Sequence, residues 1–151
     1  MFGRLFSIIA GIILINSFYL PWYKFQGINE ISPLDVLNYL LSQPFNNDSI
    51  VKILSVLGIL VLGALMILSS IFPNILLSIL KITLAIILTI IHVTYFYSII
   101  SASSSPLDWL NILNTSIGFV MFMIAMIIYL FVVLFAIILS PVKGVGKLVG
   151  L

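Results

Sequence analysis

Residues 51–100 read VKILSVLGILVLGALMILSSIFPNILLSILKITLAIILTIIHVTYFYSII, fifty positions with only two charges, Lys52 and Lys81. A transmembrane helix takes about 20 mainly apolar residues, so this stretch is far too long for one crossing. Its one strong turn signal is Phe72-Pro73-Asn74, because proline removes a backbone donor and disfavours helix just before it. The stretch predicts two membrane helices, near 51–71 and 75–99, joined as a hairpin.

Two further apolar runs predict spans near 3–21 and 113–139. The chain is 63% hydrophobic and 7% charged, against about 25% charged residues in a soluble domain. The lipid bilayer is the solvent that such a surface requires. The apolar run after Arg4 has no small-x-small cleavage site before Pro21-Trp22, so it reads as a retained helix and not a signal peptide. Every proline falls at an expected element boundary: Pro21, Pro33, Pro44, Pro73, Pro106 and Pro141. The expected fold is all-α, one four-span membrane domain over 1–151.

A nine-residue phrase occurs twice. Residues 32–40 read SPLDVLNYL and residues 105–113 read SPLDWLNIL, identical at seven of nine positions and 73 residues apart. It suggests a tandem two-helix repeat with halves 1–73 and 74–151, which would run parallel about an axis along the membrane normal. Ser-Pro-x-Asp is also a generic helix start, so shared capping explains the likeness equally well. Ser32 and Ser105 can cap a helix, with proline at its first position and Asp35 and Asp108 reaching back from the third. The first copy predicts a short external amphipathic helix at 33–42 with Leu34, Leu37, Leu40 and Leu41 as its apolar stripe. The second copy predicts a helix running on from 106 to 140, about 52 Å long.

Charge sets the expected orientation. Glu30, Asp35, Asp48 and Asp108 fall in two loops on one side; Arg4, Lys143, Lys147 and a snorkelling Lys81 fall on the other, with Lys24 and Lys52 as exceptions. The positive-inside rule then makes both termini cytoplasmic. Tyr19, Trp22, Tyr23, Tyr39, Tyr95, Tyr97 and Trp109 would form an external aromatic belt. Asn47-Asp48-Ser49 and Asn114-Thr115-Ser116 fit the glycosylation triplet, a pattern common by chance.

Chemistry-bearing groups are few. There is no cysteine, and His92 is the single histidine. With no carboxylate inside the spans, that set cannot build a usual metal site, and no cofactor is expected. His92 is a weak candidate for cofactor contact or proton relay; an interhelical hydrogen bond is the plainer reading. His92, Asp108 and the serines of 101–105 could be assembled into a hydrolytic triad on paper, but no nucleophile elbow accompanies them. Lys81 could be a substrate-site charge, with snorkelling toward the hairpin turn as the plainer reading. The chain is therefore not expected to be an enzyme. A net charge of +2 gives no footprint for nucleic acid.

The packing signal lies in small and amide residues: Gly3, Ser7 and Gly11 in span one; Ser55 and Gly58 in span two; Asn111, Asn114, Gly118 and Ala125, with Tyr129, in span four. These faces pack the bundle internally or dock other membrane subunits or a second copy. Two function classes follow. The first is a small structural or accessory subunit of a larger membrane assembly. The second is an oligomeric transporter or channel protomer, which Lys81, His92 and the repeat favour.

Overall fold

The computed structural model describes residues 2–22, 31–44, 46–72, 74–101 and 116–138. Among these residues there are five helices and no strand: α1 (Phe2–Tyr19), α2 (Pro33–Ser42), α3 (Asn47–Ile71), α4 (Ile75–Ser101) and α5 (Ile117–Ile138). Three of them, α3, α4 and α5, are long and apolar enough to cross a membrane. The apolar part of α1, Gly3–Tyr19, is shorter than those three.

Local signals explain the helix limits. Asn46 caps α3: its Oδ1 accepts from the Ser49 backbone N–H at 2.7 Å, and the Ser49 hydroxyl accepts from the Asn46 N–H at 2.8 Å. This box starts α3 four residues ahead of the apolar run expected at 51. At the hairpin, the Asn74 side chain accepts from the Leu76 N–H at 2.8 Å, satisfying one orphan donor of α4. Ser116 is not helical and α5 begins at Ile117, so the expected helix from 106 does not run unbroken to 140; its part over 106–115 lies outside the described residues. The N–H of Gly118 in the first turn of α5 donates to the Pro21 carbonyl at 2.9 Å, which ties that turn to the end of α1.

In the bundle α1 lies between α3 and α5, α4 leans on α3, and α4 touches α5 only slightly. The helix α2 packs on α3 through a face that includes buried Pro33, Leu37 and Leu40; Leu41, expected in that stripe, is exposed. The core runs through Ala10, Leu14 and Phe18 of α1, Ile59, Leu62 and Met66 of α3, Ala85 and Leu88 of α4, and Phe122, Ala125 and Met126 of α5. Meanwhile Leu76, Ile79, Leu80, Ile86, Ile87, Ile90, Ile127 and Phe131 stand exposed on the outer faces. A water-soluble monomer does not present so much apolar surface. Lipid does not penalise it, and polar side chains turn inward instead. This arrangement is that of a membrane-embedded helical bundle.

The closest backbone approach joins α1 and α3. A β-carbon on Gly11 would lie 2.8 Å from the Gly63 carbonyl oxygen, and one on Gly63 would lie 2.7 Å from Ile15 Cγ1. Small residues at a crossing let membrane helices gain dispersion contacts along their length.

Candidate functional site

Polar groups of the spanning helices gather at two levels inside the bundle. Both levels are reached from one stripe of α4, formed by Ser78, Lys81, Ala85, Leu88 and His92, all buried. Spacings of three and four keep these residues on one helical face.

Lys81 marks the level nearer the hairpin. It is 2% exposed, so it does not snorkel to the surface as its distance from Pro73 suggested. The reason is its register: the buried stripe faces α3, and Ser69 on α3 takes the ammonium. Lys81 Nζ donates to Ser69 Oγ at 2.9 Å and lies over the Tyr129 ring of α5, 5.2 Å from its centroid. That distance falls in the range of cation–π attraction. The surrounding hydroxyls are held by a single acceptor. The Met66 carbonyl receives Ser70 Oγ at 2.7 Å, Ser7 Oγ of α1 at 3.1 Å and Ser69 Oγ at 3.4 Å. With its proton directed at Met66, the Ser69 oxygen is oriented to accept from Lys81. The Tyr129 hydroxyl is buried and has no hydrogen-bond partner among the described residues.

The second level is aromatic. Pro21 turns the chain at the end of α1, the Trp22 backbone N–H donates to the Ile31 carbonyl at 2.9 Å, and the indole Nε1 donates to the Ser17 carbonyl at 2.8 Å. These bonds fold Trp22 back into the bundle, where it is 1% exposed. The expected belt position is therefore wrong for Trp22, whereas Tyr19, Tyr39 and Tyr97 are exposed. The Trp22 ring meets His92 at 5.2 Å edge-on, Phe122 at 5.1 Å and Phe119 at 5.5 Å. His92 also packs on Phe122 at 5.2 Å, and its Nδ1 bonds the Leu88 carbonyl one turn earlier at 2.8 Å. Because a carbonyl only accepts, Nδ1 carries the proton. The hydrogen bond thus stays within α4, and it is the ring faces that reach other elements.

The remaining candidates fall as follows. Gly3 is half-buried in α1, whereas Ser7 and Gly11 face α3 at Met66 and Gly63. Gly58 faces α4, where an added β-carbon would lie 2.9 Å from Leu88 Cδ2. Ser55 is half-buried and bonds the Lys52 carbonyl of its own helix. Gly118 lies under Trp22 and the Leu20 carbonyl, and Ala125 is fully buried. Ser32 and Asp35 form a reciprocal capping box on α2. Asn111, Asn114, Ser105 and Asp108 lie outside the described residues, and with them the second copy of the repeated phrase.

Asp35 Oδ2 accepts from the Ser32 hydroxyl at 2.7 Å and from the Ser32 N–H at 2.9 Å. These two bonds favour the carboxylate and hold Asp35 below its ordinary value of 3.8.

Sequence reasoning missed Gly63, Ser69, Ser70 and Ser78. Their signal was nonetheless present. The three–four spacing from Ser78 through Lys81 to His92 marks one face, and Gly63 lies seven residues before Ser70 on the matching face of α3. No protein family, curated protein or solved structure matches the chain.

Proposed function

We propose that the protein crosses the bilayer four times, with both termini cytoplasmic and α2 on the external surface, and works as a small structural or accessory subunit of a larger membrane assembly. Packing supports the fourth crossing. The helix α1 is flanked by α3 and α5, and a helix lying between two spanning helices shares their apolar surroundings. Its 18 residues reach about 27 Å, close to the roughly 30 Å of hydrocarbon.

One observation carries the subunit reading. Around the Lys81 and His92 levels the interior is closed by Leu14, Ile59, Leu62, Ala85, Leu88 and Phe122, each at most 2% exposed. Among the described residues, such a core gives a polar solute no polar route in a single copy. The bundle suits holding shape and presenting apolar faces to neighbours. The test is purification from native membranes in mild detergent, followed by identification of what accompanies the chain. Stoichiometric membrane partners are expected; a lone monomer at native abundance would sink the reading.

Lys81 favours a second reading, an oligomeric transporter or channel protomer, because an intramembrane cation turned inward is a functional suspect. That reading predicts flux in proteoliposomes that Lys81→Met abolishes while the protein stays folded.

A further inference from the structure

Among the described residues, Lys81 and Tyr129 stand on opposite walls of the side of the bundle where α4 and α5 scarcely touch. The helices α1, α3 and α5 are joined through α1, and α4 leans on α3, which leaves α4 and α5 in slight contact. At the level of Lys81 that seam is bridged by the ammonium over the Tyr129 ring. The buried hydroxyls near this seam differ in what they still offer. Ser7, Ser69 and Ser70 direct their protons to Met66 and so cannot donate elsewhere. Tyr129, 2% exposed, keeps a hydroxyl proton with no acceptor among the described residues. A buried tyrosine hydroxyl normally finds a partner, and one without it calls for an explanation.

We propose that Lys81 and Tyr129 bind the anionic head of one amphiphile, a phosphate or carboxylate on an apolar body that enters from the lipid between α4 and α5. An anion beside the ammonium would accept from both Lys81 Nζ and the Tyr129 hydroxyl, as charge-assisted hydrogen bonds. Ser69, itself anchored on the Met66 carbonyl, holds the ammonium in place beforehand, which lowers the ordering cost of binding. Leu80 of α4 and Ile127 and Phe131 of α5 are exposed apolar residues, so a ligand with an apolar body can approach these helices through lipid, while a free hydrated anion must first cross apolar surroundings. The proposal goes beyond the subunit reading and does not depend on it.

The test uses the full chain, purified and delipidated in an uncharged maltoside detergent. Native mass spectrometry and thermal unfolding are followed with dioleoyl phosphatidic acid, dioleoyl phosphatidylcholine and inorganic phosphate as probes. One phosphatidic acid per chain is expected, with a raised Tm and no such effect from phosphatidylcholine. Lys81→Met should weaken binding tenfold or more, Tyr129→Phe several-fold, and Lys52→Met, which removes an exposed cation, not at all. Inorganic phosphate reproducing the Lys81-dependent Tm shift would keep the anion site and identify its source as a free anion. Equal binding of both lipids, or equal phosphatidic acid binding by Lys81→Met and the parent chain, would overturn the proposal. Should Lys81→Met fail to fold, Tyr129→Phe decides, and unchanged binding there overturns it.

Discussion

Gly11 of α1 and Gly63 of α3 meet backbone to backbone, so close that a β-carbon on Gly11 would sit 2.8 Å from the Gly63 carbonyl oxygen. Alanine raises helix propensity by about 1 kcal/mol over glycine, yet here it must push two main chains apart. Gly11→Ala is expected to destabilise the bundle by about 1–3 kcal/mol, as overpacking does. Thermal unfolding in detergent reads this as a lower Tm. An unchanged or raised Tm would mean that the crossing is looser than described.

Gly118 bears on Trp22 in the same way. An added β-carbon would meet Trp22 Cδ1, and would lie 2.6 Å from the Leu20 carbonyl oxygen. Gly118→Ala should expel the indole from its place against His92 and Phe122. In a Trp109→Phe background, which leaves Trp22 as the sole tryptophan of two, the emission should shift to the red. A blue, unshifted spectrum would contradict the folded-back position of Trp22.

Ser69 and Lys81 make a buried pair whose members are not equivalent. Ser69→Ala leaves the ammonium short of an acceptor and should cost about 1–3 kcal/mol. Lys81→Met replaces the charge with an apolar chain of similar length and should be close to neutral or stabilising. In the double variant the Ser69→Ala penalty should disappear. Additive effects in this double-mutant cycle would show that the two side chains do not interact.

The Ser32–Asp35 box gives α2 a pH dependence. Asp35 is held below its ordinary value of 3.8, so its contribution is fully present above that pH and fades as pH falls through the lower folded value. Hydrogen-exchange protection of 33–42 should be flat from neutral pH to about pH 4 and should fall below it. Ser32→Ala should cost α2 about 1 kcal/mol at neutral pH and remove that acid step.

The membrane class, the hairpin at 72–74 and the α2 range were legible in the sequence because each rests on a local rule: hydropathy length, proline punctuation and a capping box. The Asn46 cap was not, because its box with Ser49 overlaps the glycosylation triplet at 47–49 and lies ahead of the apolar run. Lys81 and Trp22 were misplaced for a common reason. Snorkelling and interfacial belts follow from depth along the membrane normal, whereas the fate of both side chains is set by rotation about the helix axis and by chain reversal at Pro21. Rotation was recoverable for Lys81 from the stripe it shares with Ser78, Ala85, Leu88 and His92. The reversal at Pro21 depends on the bond between Trp22 and Ile31, a pairing nine positions apart that no local pattern announces.

The central claim is a four-crossing bundle, and the chain's lack of cysteine makes it directly testable. Single variants Arg4→Cys, Asp48→Cys, Phe72→Cys and Lys143→Cys would be exposed to a membrane-impermeant maleimide on intact cells and after permeabilisation. The account predicts that only Asp48→Cys is labelled from outside, and that the other three react after permeabilisation alone. Labelling of Arg4→Cys from outside would show that α1 does not cross. Labelling of Phe72→Cys on the same side as Asp48→Cys would contradict the bundle outright.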